Sequence, residues 1–153
     1  MSLLLVLRMK GEINRRSAVE EALKRLNLPF KFSATLVQDD RTTMGMLRAS
    51  ATALSWCKVD RELLLKLIRN RARVAGYRPL SEDSLKPSGL DFGTLADKLL
   101  SGEVAWSRVD GVKPFFRLAP PRGGFPRPSN RSYGSGGLLA GNPELPKLVE
   151  RMI

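Results

Sequence analysis

The run Leu3-Leu4-Leu5-Val6-Leu7 constrains this chain more than any other stretch. Five consecutive large aliphatics, closed by Arg8 and Lys10, are too few to nucleate a helix of their own. They suit a strand covered on one or both faces. Such a strand belongs inside a sheet, where neighbours on either side satisfy its backbone N–H and C=O groups. The run is therefore expected to be the central strand of a small α/β domain.

The next fifty residues alternate in period. Met9 to Asn14 reads as a loop, with Asn14 or Ser17 as a helix cap. Ala18, Val19, Ala22, Leu23 and Leu26 then share one helical face, opposite the acid-first pairs Glu20–Lys24 and Glu21–Arg25. Asn27 and Pro29 stop this helix. Phe32, Ala34 and Leu36 alternate with Ser33, Thr35 and Val37, which predicts a half-buried strand. The cap-rich Asp39-Asp40-Arg41-Thr42-Thr43 leads to a second helix, over about 43–53, with Met46, Leu47, Ser50, Ala51 and Leu54 inward. Leu54 to Val59 gives a third strand. This β-α-β-α-β order predicts an α/β (α+β) sandwich, with these helices on one face of the sheet.

Residues 61–105 read as a helical extension. Asp60 caps a helix carrying Leu63, Leu64, Leu67 and Ile68, ended by Gly76 and Pro79. After a loop at 81–90, Asp91 opens another, with Phe92, Leu95, Ala96, Leu99 and Leu100 inward and Gly102 as its stop. Val104-Ala105-Trp106 is expected to add an edge strand. Residues 106–153 form a basic tail and a last helix, opened by Asn142-Pro143, with Leu145, Leu148, Val149 and Met152 inward.

Charge sets the function class. Lys and Arg number 26 against 15 Asp and Glu, a net charge of +11. That excess costs stability by self-repulsion unless a polyanion offsets it, and nucleic acid is the commonest one. Residues 111–141 concentrate the signal: seven glycines, five prolines, five basic residues and no acid. Pro and Gly at that density are expected to keep the stretch extended and out of a packed core. Arginines spaced along such a backbone can grip phosphate oxygens in pairs. The candidate contacts there are Lys113, Arg117, Arg122, Arg127 and Arg131, with Phe125 and Tyr133 available to stack on bases and Phe115 and Phe116 read as core. Lys10, Arg15 and Arg16 cluster in the first strand–helix loop; Arg41 begins the second helix and Arg48 lies one to two turns on. The run Arg69-Asn70-Arg71-Ala72-Arg73 fits either an RNA contact or cations that offset a helix dipole.

Other chemistries find no support. The chain has no histidine, no Walker loop, no dinucleotide glycine fingerprint and no Cys-x-x-Cys. Cofactor, metal site, catalytic residue and small-molecule substrate are all expected to be absent. Cys57 stands alone, which fits a reducing compartment and a buried thiol. No stretch approaches the length of a membrane span.

Four stretches resemble one family. Leu4 to Gly11 is similar to the opening strand and loop of the archaeal form of the large-ribosomal-subunit L-thirty proteins. Gly45-Met46-Leu47 is similar to the start of their second helix, and Ser55-Trp56 with Val59-Asp60-Arg61-Glu62 to their third strand and its exit. Gly111-Val112-Lys113-Pro114-Phe115-Phe116-Arg117-Leu118, followed by Pro120-Pro121-Arg122-Gly123-Gly124-Phe125, resembles the archaeal and eukaryotic tail. The resemblance implies a ferredoxin-like core, with the first strand central in a mainly antiparallel three-stranded sheet. It also implies an archaeal source and a non-catalytic, cytoplasmic, ribosome-associated role. The implied partners are 23S rRNA, with the 5S RNA region nearby, and neighbouring large-subunit proteins. The family's usual arginine before the Gly-Met of the second helix is Met44 here. Two alternatives remain open: a free-standing RNA- or DNA-binding regulator, and a phosphate-processing enzyme resembling the acylphosphatases.

Overall fold

A computed structural model describes residues 2–13 and 15–153. The aliphatic run forms β1 (Leu3–Arg8), every residue of it buried. It pairs antiparallel with β2 (Ser33–Gln38) on one side and β3 (Leu54–Lys58) on the other, with Leu5 opposite both Leu36 and Cys57. Two short edge strands complete the sheet: β4 (Phe116–Arg117), antiparallel to β2, and β5 (Ala140–Gly141), parallel to β3. The order β4-β2-β1-β3-β5 puts β1 in the centre, as expected, within a mixed five-stranded sheet. The Val104–Trp106 edge strand does not form. Trp106–Arg108 is a single 3-10 turn, and Trp106 is buried instead.

Alternation along β1 divides the core in two. Leu4 and Val6 face α1 (Ser17–Arg25) and α2 (Arg41–Ala49), packing with Val19, Leu23, Leu26, Leu47 and Leu54. Leu3, Leu5 and Leu7 face the opposite way, into a larger cluster filled by the rest of the chain. That cluster takes residues from α3 (Arg61–Arg71), α4 (Glu82–Leu85), α5 (Phe92–Ser101) and α6 (Leu145–Met152). A strand covered on both faces has no room for polar alternation, which explains why the run reads as continuous aliphatic. β2 is covered likewise: Ser33 and Thr35, expected on a wet face, are buried. Thr35 Oγ1 donates to the Pro114 carbonyl at 3.0 Å, so the tail satisfies what the sheet buries.

The helices follow their sequence signals with shifted ends. In α1 Val19, Ala22 and Leu23 are buried, but Ala18 is exposed. Both acid-first pairs form, Lys24–Glu20 at 3.6 Å and Arg25–Glu21 at 2.6 Å. Arg16 occupies the cap position and Ser17 the first turn, while Asn14 lies outside the described residues. α2 begins two residues before the expected start and ends at Ala49. α3 stops at Arg71, not at Gly76 or Pro79, because Ala72 turns extended and Arg73 bridges to Pro79. α5 ends as expected at Gly102, whose left-handed φ of 82° suits glycine. Gln38 Nε2 donates to the Leu99 carbonyl at 3.3 Å, tying that helix end to β2. α6 starts at Leu145, after Asn142 Oδ1 accepts from the Glu144 N–H at 2.9 Å.

The tail departs most from expectation. Phe116, Leu118, Leu138 and Leu139 are buried in the larger cluster, so a Gly/Pro-rich stretch does contribute to a packed core. It does so by adding strands to existing edges, which leaves its prolines and all its glycines but Gly141 outside the strands. Phe116 stacks on Trp106 with centroids 4.7 Å apart.

Cys57 gives the fold a pH signature. Burial, and then the nearby Asp60 charge, push its thiol from 9.0 up to about 12. The folded state therefore holds the thiol proton after the unfolded chain has released it. Its contribution is complete below pH 9 and is lost as pH rises towards 12. Denaturation midpoints of wild type and Cys57→Ala are expected to converge over that range; parallel curves would contradict the burial.

Candidate nucleic-acid interface

Sheet register decides which basic residues meet. Leu7, Ala34 and Phe116 form one row across β1, β2 and β4, and Arg117 sits opposite Ser33. The loop that leaves β1 therefore shares one end of the sheet with β4. At that end Lys10, Arg15 and Arg16 line a cavity of about 420 Å³ with Ile13, Val19, Ala49, Thr52 and Ala53. Arg48, in the last turn of α2, precedes a β3 whose Leu54 pairs with Arg8, so it belongs to this end too. Arg41 does not. It follows β2, whose Gln38 pairs with Leu3 at the far end of the sheet.

A second cluster forms where the tail crosses α3. Arg71, Arg73, Tyr77, Arg117, Leu118 and Ala119 line a cavity of about 280 Å³. Arg71 is pinned at the end of α6: its Nη1 donates to the Arg117 carbonyl at 3.4 Å, and its Nη2 to the Met152 carbonyl at 3.4 Å and to the terminal oxygen of Ile153 at 3.2 Å. Burial lowers its pKa, and the neighbouring charges of Arg73 and Arg122 lower it further. Lys113 holds the Arg73 carbonyl through its own N–H at 2.8 Å and lies over the Tyr77 ring at 5.2 Å. Arg117 lies over Phe30 at 5.1 Å. Three arginines thus line the cavity with no acidic residue in that lining, Lys113 lies over its Tyr77 and the Arg122 charge acts on Arg71, an arrangement that attracts a polyanion.

The remaining two tail arginines differ. Arg127 pairs with Glu144 at 3.3 Å and covers Tyr133 at 5.2 Å, so its charge is already offset. Arg131 is exposed. The aromatics are largely occupied: Phe116 is buried, Phe125 packs on Phe32 at 6.0 Å, and Phe115 meets Phe30 at 6.2 Å.

Sequence reasoning left Arg71 and Arg73 undecided, and it took Arg8 only as the close of the strand. The one signal was arginine at every second position where a helix was ending, a spacing that splays successive side chains. Tyr77 and Phe30, which seat Lys113 and Arg117, gave no signal, because their partners are distant in sequence.

Among the described residues no group of three His, Cys, Asp or Glu side chains converges to hold a metal, and no helix is long and apolar enough to cross a membrane. The Asp39-Asp40 pair has ordinary structural roles: Asp39 accepts from the Ser2 hydroxyl at 3.0 Å, and Asp40 sits at the cap position of α2.

No family model matches the chain. Curated relatives do. It is 39% identical over 152 residues to the large ribosomal subunit protein uL30 of Cenarchaeum symbiosum, with 97% of each chain covered. It is 39% identical over 156 residues to that of Thermofilum pendens, with both chains covered completely. With that of Nitrosopumilus maritimus it shares 35% identity over 150 residues and 97% of each chain. The similarity runs through the core, the helical extension and the acid-free tail alike, and on that footing the chain belongs to the uL30 family of large-ribosomal-subunit proteins.

Proposed function

We propose that this chain binds large-subunit rRNA through two cationic clusters, one around Lys10, Arg15, Arg16 and Arg48, the other around Arg71, Arg73, Lys113, Arg117 and Arg122. As a uL30 protein it is a structural constituent of the large ribosomal subunit and not an enzyme. The observation that carries the RNA-binding reading is the convergence of Arg71, Arg73 and Arg117 around one cavity where the tail crosses α3, with Lys113 and Arg122 beside them and no Asp or Glu in the lining. Neutralising them needs a chain of phosphates, and no acid in residues 111–141 supplies the compensation. 23S rRNA, with the 5S RNA region nearby, is the proposed target; large-subunit proteins are the proposed neighbours. Arg41, at the far sheet end, and Arg127, paired with Glu144, are the weakest members of the proposed contact set, and Arg131 is its outlying one.

Affinity should come mainly from counterion release. With about six phosphates neutralised, log K falls against log salt with a slope near −5. Binding of the purified protein to a large-subunit rRNA fragment is to be measured across a salt series, beside co-migration with large subunits on a sucrose gradient. A slope near zero, or a protein that stays at the top of the gradient, removes the proposal. Co-migration also separates this reading from a free-standing regulator, which would remain outside the particle.

A further inference from the structure

The outer edge of β3 is only partly covered. Val59 donates its N–H to the Leu3 carbonyl at 3.2 Å, and the Ala53 carbonyl accepts from the Met9 N–H at 2.9 Å, so alternate residues from Ala53 to Val59 bond to β1. Trp56 and Lys58 therefore turn their backbone N–H and C=O groups to the other side. β5 takes up that side only at Ser55 and Trp56. The Asn142 N–H donates to the Trp56 carbonyl at 2.9 Å, and Pro143, which has no N–H to offer, then leads the chain into α6. No strand among the described residues pairs with Lys58 on this side.

A groove of about 470 Å³ lies beside that edge, with Leu4, Met44, Trp56, Pro143 and Pro146 as its apolar floor. Asp39, Asp60 and the exposed Lys58 supply its charged rim, while Arg41 lies outside the lining. Neither carboxylate forms an ion pair among the described residues. Asp39 accepts from the Ser2 hydroxyl, and Asp60 occupies the cap position of α3 without a side-chain cap bond. Two carboxylates against one ammonium leave the lining net negative, on a chain whose net charge is +11.

An unpaired strand edge is a template for another extended chain, which gains ladder bonds there while alternate side chains enter the pockets alongside. Trp56 and Met44 offer a surface to an apolar side chain, and a Lys or Arg next to it meets Asp39 or Asp60. The same carboxylates repel a nucleic-acid backbone or an acidic peptide. We propose that this groove holds an extended, Lys/Arg-bearing segment of a neighbouring large-subunit protein, added to the sheet as a strand beside Lys58. The identity of that donor rests on the ribosomal role above; the groove's preference for a basic strand does not, and it uses none of the residues of the two RNA-binding clusters.

The probe is a capped hexapeptide of alternating Val and Arg, titrated into the full chain and followed by tryptophan fluorescence, since Trp56 lines the groove and Trp106 is buried. A saturable change is expected with this peptide and none with its Val/Glu counterpart. N-methylation of every backbone nitrogen keeps the side chains and removes the ladder donors, and should weaken binding by at least about fivefold. Joint Asp39→Asn and Asp60→Asn should weaken it about three- to tenfold with the urea midpoint unchanged. No saturable binding, or equal binding of the Val/Glu or the N-methylated peptide, overturns the proposal; a wild-type rRNA salt slope beside that failure leaves the RNA-binding role standing. In purified large subunits carrying Lys58→p-benzoylphenylalanine, irradiation should join this position to a Lys/Arg-bearing segment of another subunit protein. A cross-link to RNA or to a second copy of this chain, or no cross-link, overturns the proposed occupant. A chain absent from those particles would sink the ribosomal role instead, and the titration would still decide the groove.

Discussion

Trp106→Ala is expected to destabilise the protein by about 3–5 kcal/mol, the usual cost of emptying a large aromatic site in a core. Trp106 is 1% exposed and stacks on Phe116, itself fully buried. Phe116 is half of β4, which pairs through Ala34 to the centre of the sheet. The stack therefore joins the turn after α5 to the strand that anchors the tail, and its loss opens a cavity where those parts meet. Against a total stability of about 5–15 kcal/mol this is a large fraction. Trp106→Phe is expected to cost much less: it keeps an aromatic partner and removes an indole N–H that has no acceptor among the described residues. Urea denaturation of both variants checks this. Equal losses for Phe and Ala would show that a phenyl ring cannot take the place of the indole against Phe116.

Joint replacement of Arg73, Arg117 and Arg122 by Gln should flatten the salt slope of rRNA binding by about 2–2.7, at roughly 0.7–0.9 for each phosphate that is no longer neutralised. The fold should hold, because Arg117 and Arg122 are exposed and Arg73 makes only short-range bonds to the Asn70 and Ala72 carbonyls. Removing crowded like charges should even raise the melting temperature of the free protein slightly. Arg127→Gln should change the slope far less, since Glu144 already offsets that charge. A triple variant with the wild-type slope would move the RNA interface away from the crossing of α3 and the tail.

What was legible in the chain follows from local period. Leu3 to Leu7 could only be an inner strand, and the inward stripes Leu63, Leu64, Leu67, Ile68 and Leu145, Leu148, Val149, Met152 are buried as their spacing required. Glu20–Lys24 and Glu21–Arg25 formed because i,i+4 neighbours meet on any helix. Element ends shifted where tertiary contacts compete with local signals, as at Arg71, where the chain leaves α3 to bridge back from Arg73 to Pro79. Trp106 failed as a strand residue for the same reason: a three-residue segment with alanine at its centre carries too little strand preference to outweigh burying an indole against Phe116.

The sequence by itself determined a central strand, a β-α-β-α-β core, a net positive charge and an acid-free tail, because composition and period act between near neighbours. Only the tertiary structure decided that the tail adds β4 and β5 to the sheet, that Arg71 and Arg73 meet Arg117 and Arg122, and that Pro114 and Phe115 wall a cavity against Arg8 and Arg15. Those contacts join residues tens of positions apart. Strand register and helix crossing set them, and no local pattern in the chain encodes either.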